Sequence, residues 1–256
     1  MADWNSTQYL KFQKERTQPS IDLASRLNLE NPVKIADIGC GPGNSTRVVK
    51  SFYPGARVIG FDNSENMLAK ARQENPELEF RFCDVSADLS KQEKDFDAVF
   101  SNACLQWVPD HPKRIEELFG MLKAGGTLAV QIPMNFGEPV HRIIGELAES
   151  ARWRGSMQNV RTFYTLKPEA YYNLLTEYAS SFEIWQTTYY HVLPSSQAVL
   201  EWYRSTGLRP YLDRLTEEQR PEFEAEFLES VRREYPPQTD GKVIFKFPRF
   251  FFTAVK

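Results

Sequence analysis

"VKIADIGCGPGNSTRVV", residues 33–49, opens as an apolar run that reads as a strand and closes as a helix, with Gly39, Gly41 and Gly43 alternating between. Glycine lets backbone come close to a ligand and permits the positive φ of a tight strand-to-helix turn. The dinucleotide fingerprint GxGxxG, which seats a pyrophosphate, fails here: counted from Gly39, its sixth position is Asn44. The pattern is instead Asp-x-Gly-x-Gly-x-Gly. A carboxylate beside the turn, Asp37, repels a pyrophosphate and favours a cation. S-adenosylmethionine carries a sulfonium and an α-ammonium and no phosphate, so Asp37 suits it directly or through water.

Working outward, the next strand ends in Asp62 and Asn63, about 20 residues past the loop, where a carboxylate accepts ribose hydroxyls. Met67 follows at helical spacing, either as core or against the adenine. The third strand ends in "CDV", which places Asp84 and the Val85 backbone where an adenine edge is read. The fourth ends in "SNACLQW", with Asn102 and Leu105 facing the methionine part of the cofactor. Open parallel sheets bind ligands at the carboxyl ends of their strands. The expected cofactor set is therefore Asp37, Gly39, Cys40, Gly41, Gly43, Asn44, Asp62, Asn63, Met67, Asp84, Val85, Asn102 and Leu105. Taken singly each has a plain structural reading, such as a helix cap for an Asp after a strand; their order along the sheet is what joins them.

The rest of the chain fits an α/β architecture, a Rossmann-like, mostly parallel seven-stranded sheet with helical cap insertions. Strands are expected at 33–38, 56–62, 78–84, 96–103, 126–133, 182–193 and 242–255, and helices near 44–52, 64–74 and 113–123. The scheme treats 1–256 as a single domain. Residues 1–30 form an N-terminal helical segment over the site, and 134–181 and 194–241, too long for ordinary loops, are helical caps over the sheet's binding edge.

The 256 residues are 41% hydrophobic and 25% charged with net charge -3, an ordinary globular composition without the basic excess of a nucleic-acid or anionic-membrane binder. Cys40, Cys83 and Cys104 lack CxxC spacing, and His111, His141 and His191 are scattered, so neither a disulfide framework nor a metal site is expected. The opening residues lack the apolar core of a signal peptide, and the expected compartment is the cytoplasm.

Beyond the loop, "YLKF..ERTQP", "NACLQWVPDH", "LAVQIP", "IWQTTYYHVLPS", "STGLRPYLD" and "FPRFF" together resemble the trans-aconitate methyltransferases over nearly the whole chain. The resemblance implies a class I methyltransferase fold. It also implies methyl transfer from S-adenosylmethionine to one carboxylate of trans-aconitate, favouring the 2-methyltransferase type, with S-adenosylhomocysteine as product. A small tricarboxylate needs local positive charge, and Arg16, Arg209 and Arg249 lie in the distinguishing motifs. Tyr9, Trp107, Tyr189, Tyr190 and His191 add hydroxyls, ring walls and a cationic donor, with Trp107, Tyr189 and His191 positioning the acid. As a strand, "TTYYHV" puts Tyr189 and His191 on one face and Tyr190 on the other, so not all three face inward. An ionised carboxylate attacks the methyl in line and needs no general base, so no catalytic acid or base is assigned. The arginines are expected to clamp the carboxylates that do not react. Two other readings are a methyltransferase for another free carboxylate such as malonyl-carrier protein, and a non-catalytic cofactor-binding pseudoenzyme.

Overall fold

Apolar runs too short for helices become adjacent parallel strands, because the segments between them return the chain to the same edge of one sheet. The computed structural model describes residues 12–87, 89–160, 163–204 and 206–256. α1 (Gln13–Ala24) precedes β1 (Lys34–Ile38), α2 (Asn44–Phe52), β2 (Arg57–Asp62), α3 (Glu65–Glu74), β3 (Glu79–Phe82), β4 (Phe96–Asn102), α4 (His111–Met121) and β5 (Leu122–Pro133). β1 pairs in parallel with β2 and β4, β2 with β3, and β4 with β5. Ile35 to Ile38 are all buried, the unbroken pattern of a strand covered on both faces.

Two longer strands, β6 (Ser181–Leu193) and β7 (Val243–Val255), complete the sheet in the order β3-β2-β1-β4-β5-β7-β6. The strand order reverses between β1 and β4, which sets a crevice at their carboxyl ends. β5 starts at Leu122, ahead of the expected 126, because Leu122 pairs with Phe96 across a register shift. α4 accordingly stops at Met121 instead of 123.

The chain divides into two compact units. The first comprises the described residues through Pro133, then Phe163–Thr187 and Phe250–Lys256; the second comprises those of 134–162 and 188–249. The segment 134–181 is divided between the two units. Its later half, with α6 (Pro168–Tyr178), belongs to the first unit: the fully buried Tyr171 ring stacks on Phe250 at 5.4 Å, and its hydroxyl lies 2.6 Å from His111 Nδ1.

In the second unit, α9 (Gln219–Glu234) packs on α5 (Pro139–Glu149) and α7 (Ser196–Arg204). Phe223, Phe227 and Val231, spaced four apart, form its buried stripe. A short α8 (Arg209–Leu212) lies between α7 and α9 in the chain. Among the described residues, no helix is long and apolar enough to cross a membrane and no cluster of side chains suits a metal ion.

Candidate active site

The three glycines after β1 are there for three different reasons. All have positive φ: +74° at Gly39, +54° at Gly41 and +89° at Gly43. A Cβ on Gly39 would collide with both Cβ and Sγ of Cys104. One on Gly43 would meet Asn75 at 2.8 Å and the Phe80 ring at 3.0 Å. Only Gly41 faces open space, with nothing within 4 Å of its missing Cβ. Two of the glycines thus serve the protein's own packing, while a side chain at Gly41 would meet no neighbour. The loop is tied to β2: the Gly39 and Cys40 amides both donate to the Phe61 carbonyl at 2.7 and 3.0 Å, and Gly41 N donates to Asp62 Oδ2 at 2.9 Å.

Asp37 lies beneath this loop, fully buried, and its Oδ2 accepts from the Ser45 and Thr46 hydroxyls at 2.7 Å each. Burial pushes its carboxyl up from 3.8 to about 6, the two hydroxyls pull it back, and nearby Asp62 pushes it further up. Its Oδ1 has no hydrogen-bond partner among the described residues. Sequence offered Asp37 to the ligand directly or through water; in the structure its Oδ2 holds the two hydroxyls at the start of α2. Asn44, the first residue of α2, is buried beside it.

At the end of β2, Asp62 Oδ1 accepts from Ser64 N at 2.9 Å, so both carboxylate oxygens are already oriented by backbone amides. Asp84 Oδ1 accepts from Ser86 N at 3.0 Å, Ser86 Oγ at 2.7 Å and Asn63 Nδ2 at 3.4 Å. Burial alone would raise the Asp84 pKa, but these hydrogen bonds hold it below its ordinary value. Met67 and Val85 are buried, and Met67 N is capped by Ser64 Oγ. A residue the sequence reading missed, Arg114 on α4, is 4% exposed and donates to the carbonyls of Val85 and Ala87. Its spacing to Glu117 reads as a surface ion pair, and that pair does form, at 2.8 Å.

β4 ends at Asn102, and Ala103 continues with φ +55°, a conformation a non-glycine residue adopts at a cost. Leu105–Trp107 makes a single 3-10 turn. The buried His111 fixes that turn: its Nε2 must donate to the Leu105 carbonyl at 2.8 Å, which leaves Nδ1 to accept from the Tyr171 hydroxyl. Trp107 stands against Phe163, ring centroids 4.6 Å apart. A polar pocket opens at the carboxyl ends of β1 and β4, lined by Gly39 to Pro42, Asn44, Ser45, Asn102, Ala103 and, from α1, Arg16 and Ser20.

Of the residues expected to meet the second ligand, Tyr9 lies outside the described residues, and Arg16 is in the pocket just described. In the second unit, Tyr189 and His191 do share a face, their rings parallel within 2° at 5.9 Å. Tyr190 is 64% exposed on the opposite face, as strand alternation requires. His191 is caged by Trp202, Phe245 and Phe247, and its Nε2 has no hydrogen-bond partner among the described residues. Burial, with help from the Arg249 charge, lowers its pKa to about 4, so the imidazole is neutral at pH 7. Arg249 is 4% exposed with its guanidinium 4.4 Å over the Phe247 ring. Arg209 opens α8 and pairs with Asp213 at 3.7 Å.

Residues 36–130 match a family model described as a methyltransferase domain. The YcgJ protein of Bacillus subtilis, a solved structure with 13% identity, superposes with a TM-score of 0.61 over 93% of this chain and 98% of its own, a likeness of fold. A trans-aconitate 2-methyltransferase of Rhodopseudomonas palustris is 43% identical over 100% of both chains. Another, from Methylobacterium radiotolerans, is 41% identical over 100% of this chain and 99% of its own. With the glycine loop, the strand-end acids and this full-length identity in agreement, the chain belongs to the trans-aconitate 2-methyltransferase family of class I S-adenosylmethionine-dependent methyltransferases.

Proposed function

We propose that this protein transfers a methyl group from S-adenosylmethionine to one carboxylate of trans-aconitate, forming the monomethyl ester with 2-methyltransferase regiochemistry, in the cytoplasm. The observation that carries the reading is the full-length identity of 43% to a relative named for that reaction. The first unit suits the cofactor. Asp62 ends β2 with its oxygens oriented, Gly41 leaves open space, and Asn102 Oδ1 is a buried acceptor without a partner among the described residues. The loop, Asp62 and the Asp84–Val85 turn would hold the cofactor, which when bound supplies a sulfonium methyl open to attack.

What the chain's own residues do is position and exclude water. No base is needed, because a carboxyl group is already ionised at neutral pH. None is offered by the candidates nearest the pocket. Both His111 nitrogens are committed to Tyr171 and Leu105, and burial drives the Cys40 and Cys104 thiols up out of the reactive range. Guanidinium groups supply the counter-charge for a tricarboxylate. They belong on its non-reacting carboxylates, since a tight ion pair would blunt the attacking oxygen.

The test is methyl transfer from labelled cofactor to trans-aconitate, cis-aconitate, isocitrate, citrate and malonyl-carrier protein, with the ester position read by NMR. Strong preference for trans-aconitate, esterified at the 2-position, is the expected result. Turnover only on the carrier protein, or cofactor binding without turnover on any acid, would overturn the reading.

A further inference from the structure

We propose that Arg16 binds the α-carboxylate of the cofactor rather than a carboxylate of the acid substrate. It rests on S-adenosylmethionine being the cofactor, and it reassigns a residue that the tricarboxylate argument had given to the substrate. Arg16 and Ser20 are four apart on α1 and so share one face, which walls the same pocket as Gly39, Gly41, Asn102 and Ala103. Whatever occupies that pocket is therefore what the glycine loop holds.

Charge then selects the contact. Arg16 is the one charged side chain among the described residues that line the pocket, and it is 8% exposed. The cofactor carries two cationic centres and a single anion. The two acids at the loop, Asp62, which accepts from Gly41 N, and Asp37, which accepts from Ser45 Oγ, would repel that anion. A guanidinium already withdrawn from water meets a planar carboxylate with parallel hydrogen bonds, and little side-chain entropy remains to be lost. The reassignment also leaves Arg209 and Arg249 for a substrate with two carboxylates to be held and one to react.

Titration calorimetry on the full chain separates the roles by ligand as well as by variant. The probes are S-adenosylmethionine and its decarboxylated analogue, which differ only by the carboxylate. The unaltered protein is expected to prefer the former by roughly 10- to 100-fold, the range of a charge-assisted hydrogen bond at a buried site. Arg16→Gln should erase that preference, weakening S-adenosylmethionine and sparing the analogue, whose unchanged affinity also reports an intact fold. Arg16→Lys, which retains the charge but not the fork, should fall between. Equal weakening of both ligands would make Arg16 structural and overturn the proposal. So would an unchanged cofactor preference with a raised KM for trans-aconitate. Failure of the unaltered protein to bind either ligand would instead sink the cofactor reading, and this proposal with it.

Discussion

The two units hold their buried polar groups in opposite ways. In the first, the buried His111 is tied to the backbone of Leu105 and the buried Arg114 to that of Val85 and Ala87, and the half-buried Asp62 to Gly41 and Ser64. In the second, the buried His191 and Arg249 sit among rings, His191 against Trp202 and Phe245 and Arg249 over Phe247. A hydrogen-bonded lattice fixes backbone geometry at the level a nucleoside pocket needs. An aromatic cage fixes where a side chain stands, and at His191 it leaves Nε2 without a hydrogen-bond partner among the described residues.

The hardest blow to the lattice is Gly39→Ala, which combines positive φ with a Cβ driven into Cys104. It should cost about 3 kcal/mol in denaturant unfolding and abolish measurable cofactor binding. Gly41→Ala, strained in φ but not crowded, should cost only about 1 kcal/mol while still weakening the cofactor. Equal losses would mean that the glycines share one role.

Next comes the pair of buried histidines. His111→Phe strands the Tyr171 hydroxyl and the Leu105 carbonyl, and should lower stability by about 2 to 3 kcal/mol. His191→Phe fits an aromatic cage and should change stability by less than about 1 kcal/mol. If the two variants unfold alike, the contrast between lattice and cage is wrong.

A smaller effect, with its own pH signature, is expected at Asp37. A carboxyl raised from 3.8 to about 6 destabilises the folded state wherever it is ionised. The penalty is full above about pH 6 and is relieved as pH falls from there towards 3.8. Asp37→Asn should therefore stabilise the cofactor-free protein by about 2 kcal/mol at pH 7 while weakening the cofactor. Its advantage over the parent in thermal unfolding should shrink between pH 6 and 4, and an advantage that grows there would break the assignment. Smallest of all, Tyr190→Ala on the exposed strand face should shift stability by less than about 0.5 kcal/mol and leave the trans-aconitate KM unchanged in steady-state kinetics.

What could be read from sequence follows the same division. β1, β2 and β4 lie within a residue or so of their expected ends, because local apolar runs and a glycine turn encode them. The early start of β5 depends on Leu122 meeting Phe96, a pairing no local period announces. The placement of α6 likewise depends on Tyr171, whose partners His111 and Phe250 are 60 and 79 positions away. Arg114 escaped notice because a helical Arg three residues before a Glu is what any solvated helix shows, and its carbonyl partners belong to another segment. Spacing did separate Tyr190 from its neighbours, but no spacing could reveal that His191 is neutral, since its cage is assembled from β7 and α7.

The Phe61 carbonyl, accepting from two consecutive loop amides, has a consequence for how the site works. With Gly41 N held by Asp62 as well, the amides of Gly39, Cys40 and Gly41 are all engaged by the protein itself. Those three bonds restrain the loop from within the protein, so a ligand that used it would have less chain entropy to remove on binding.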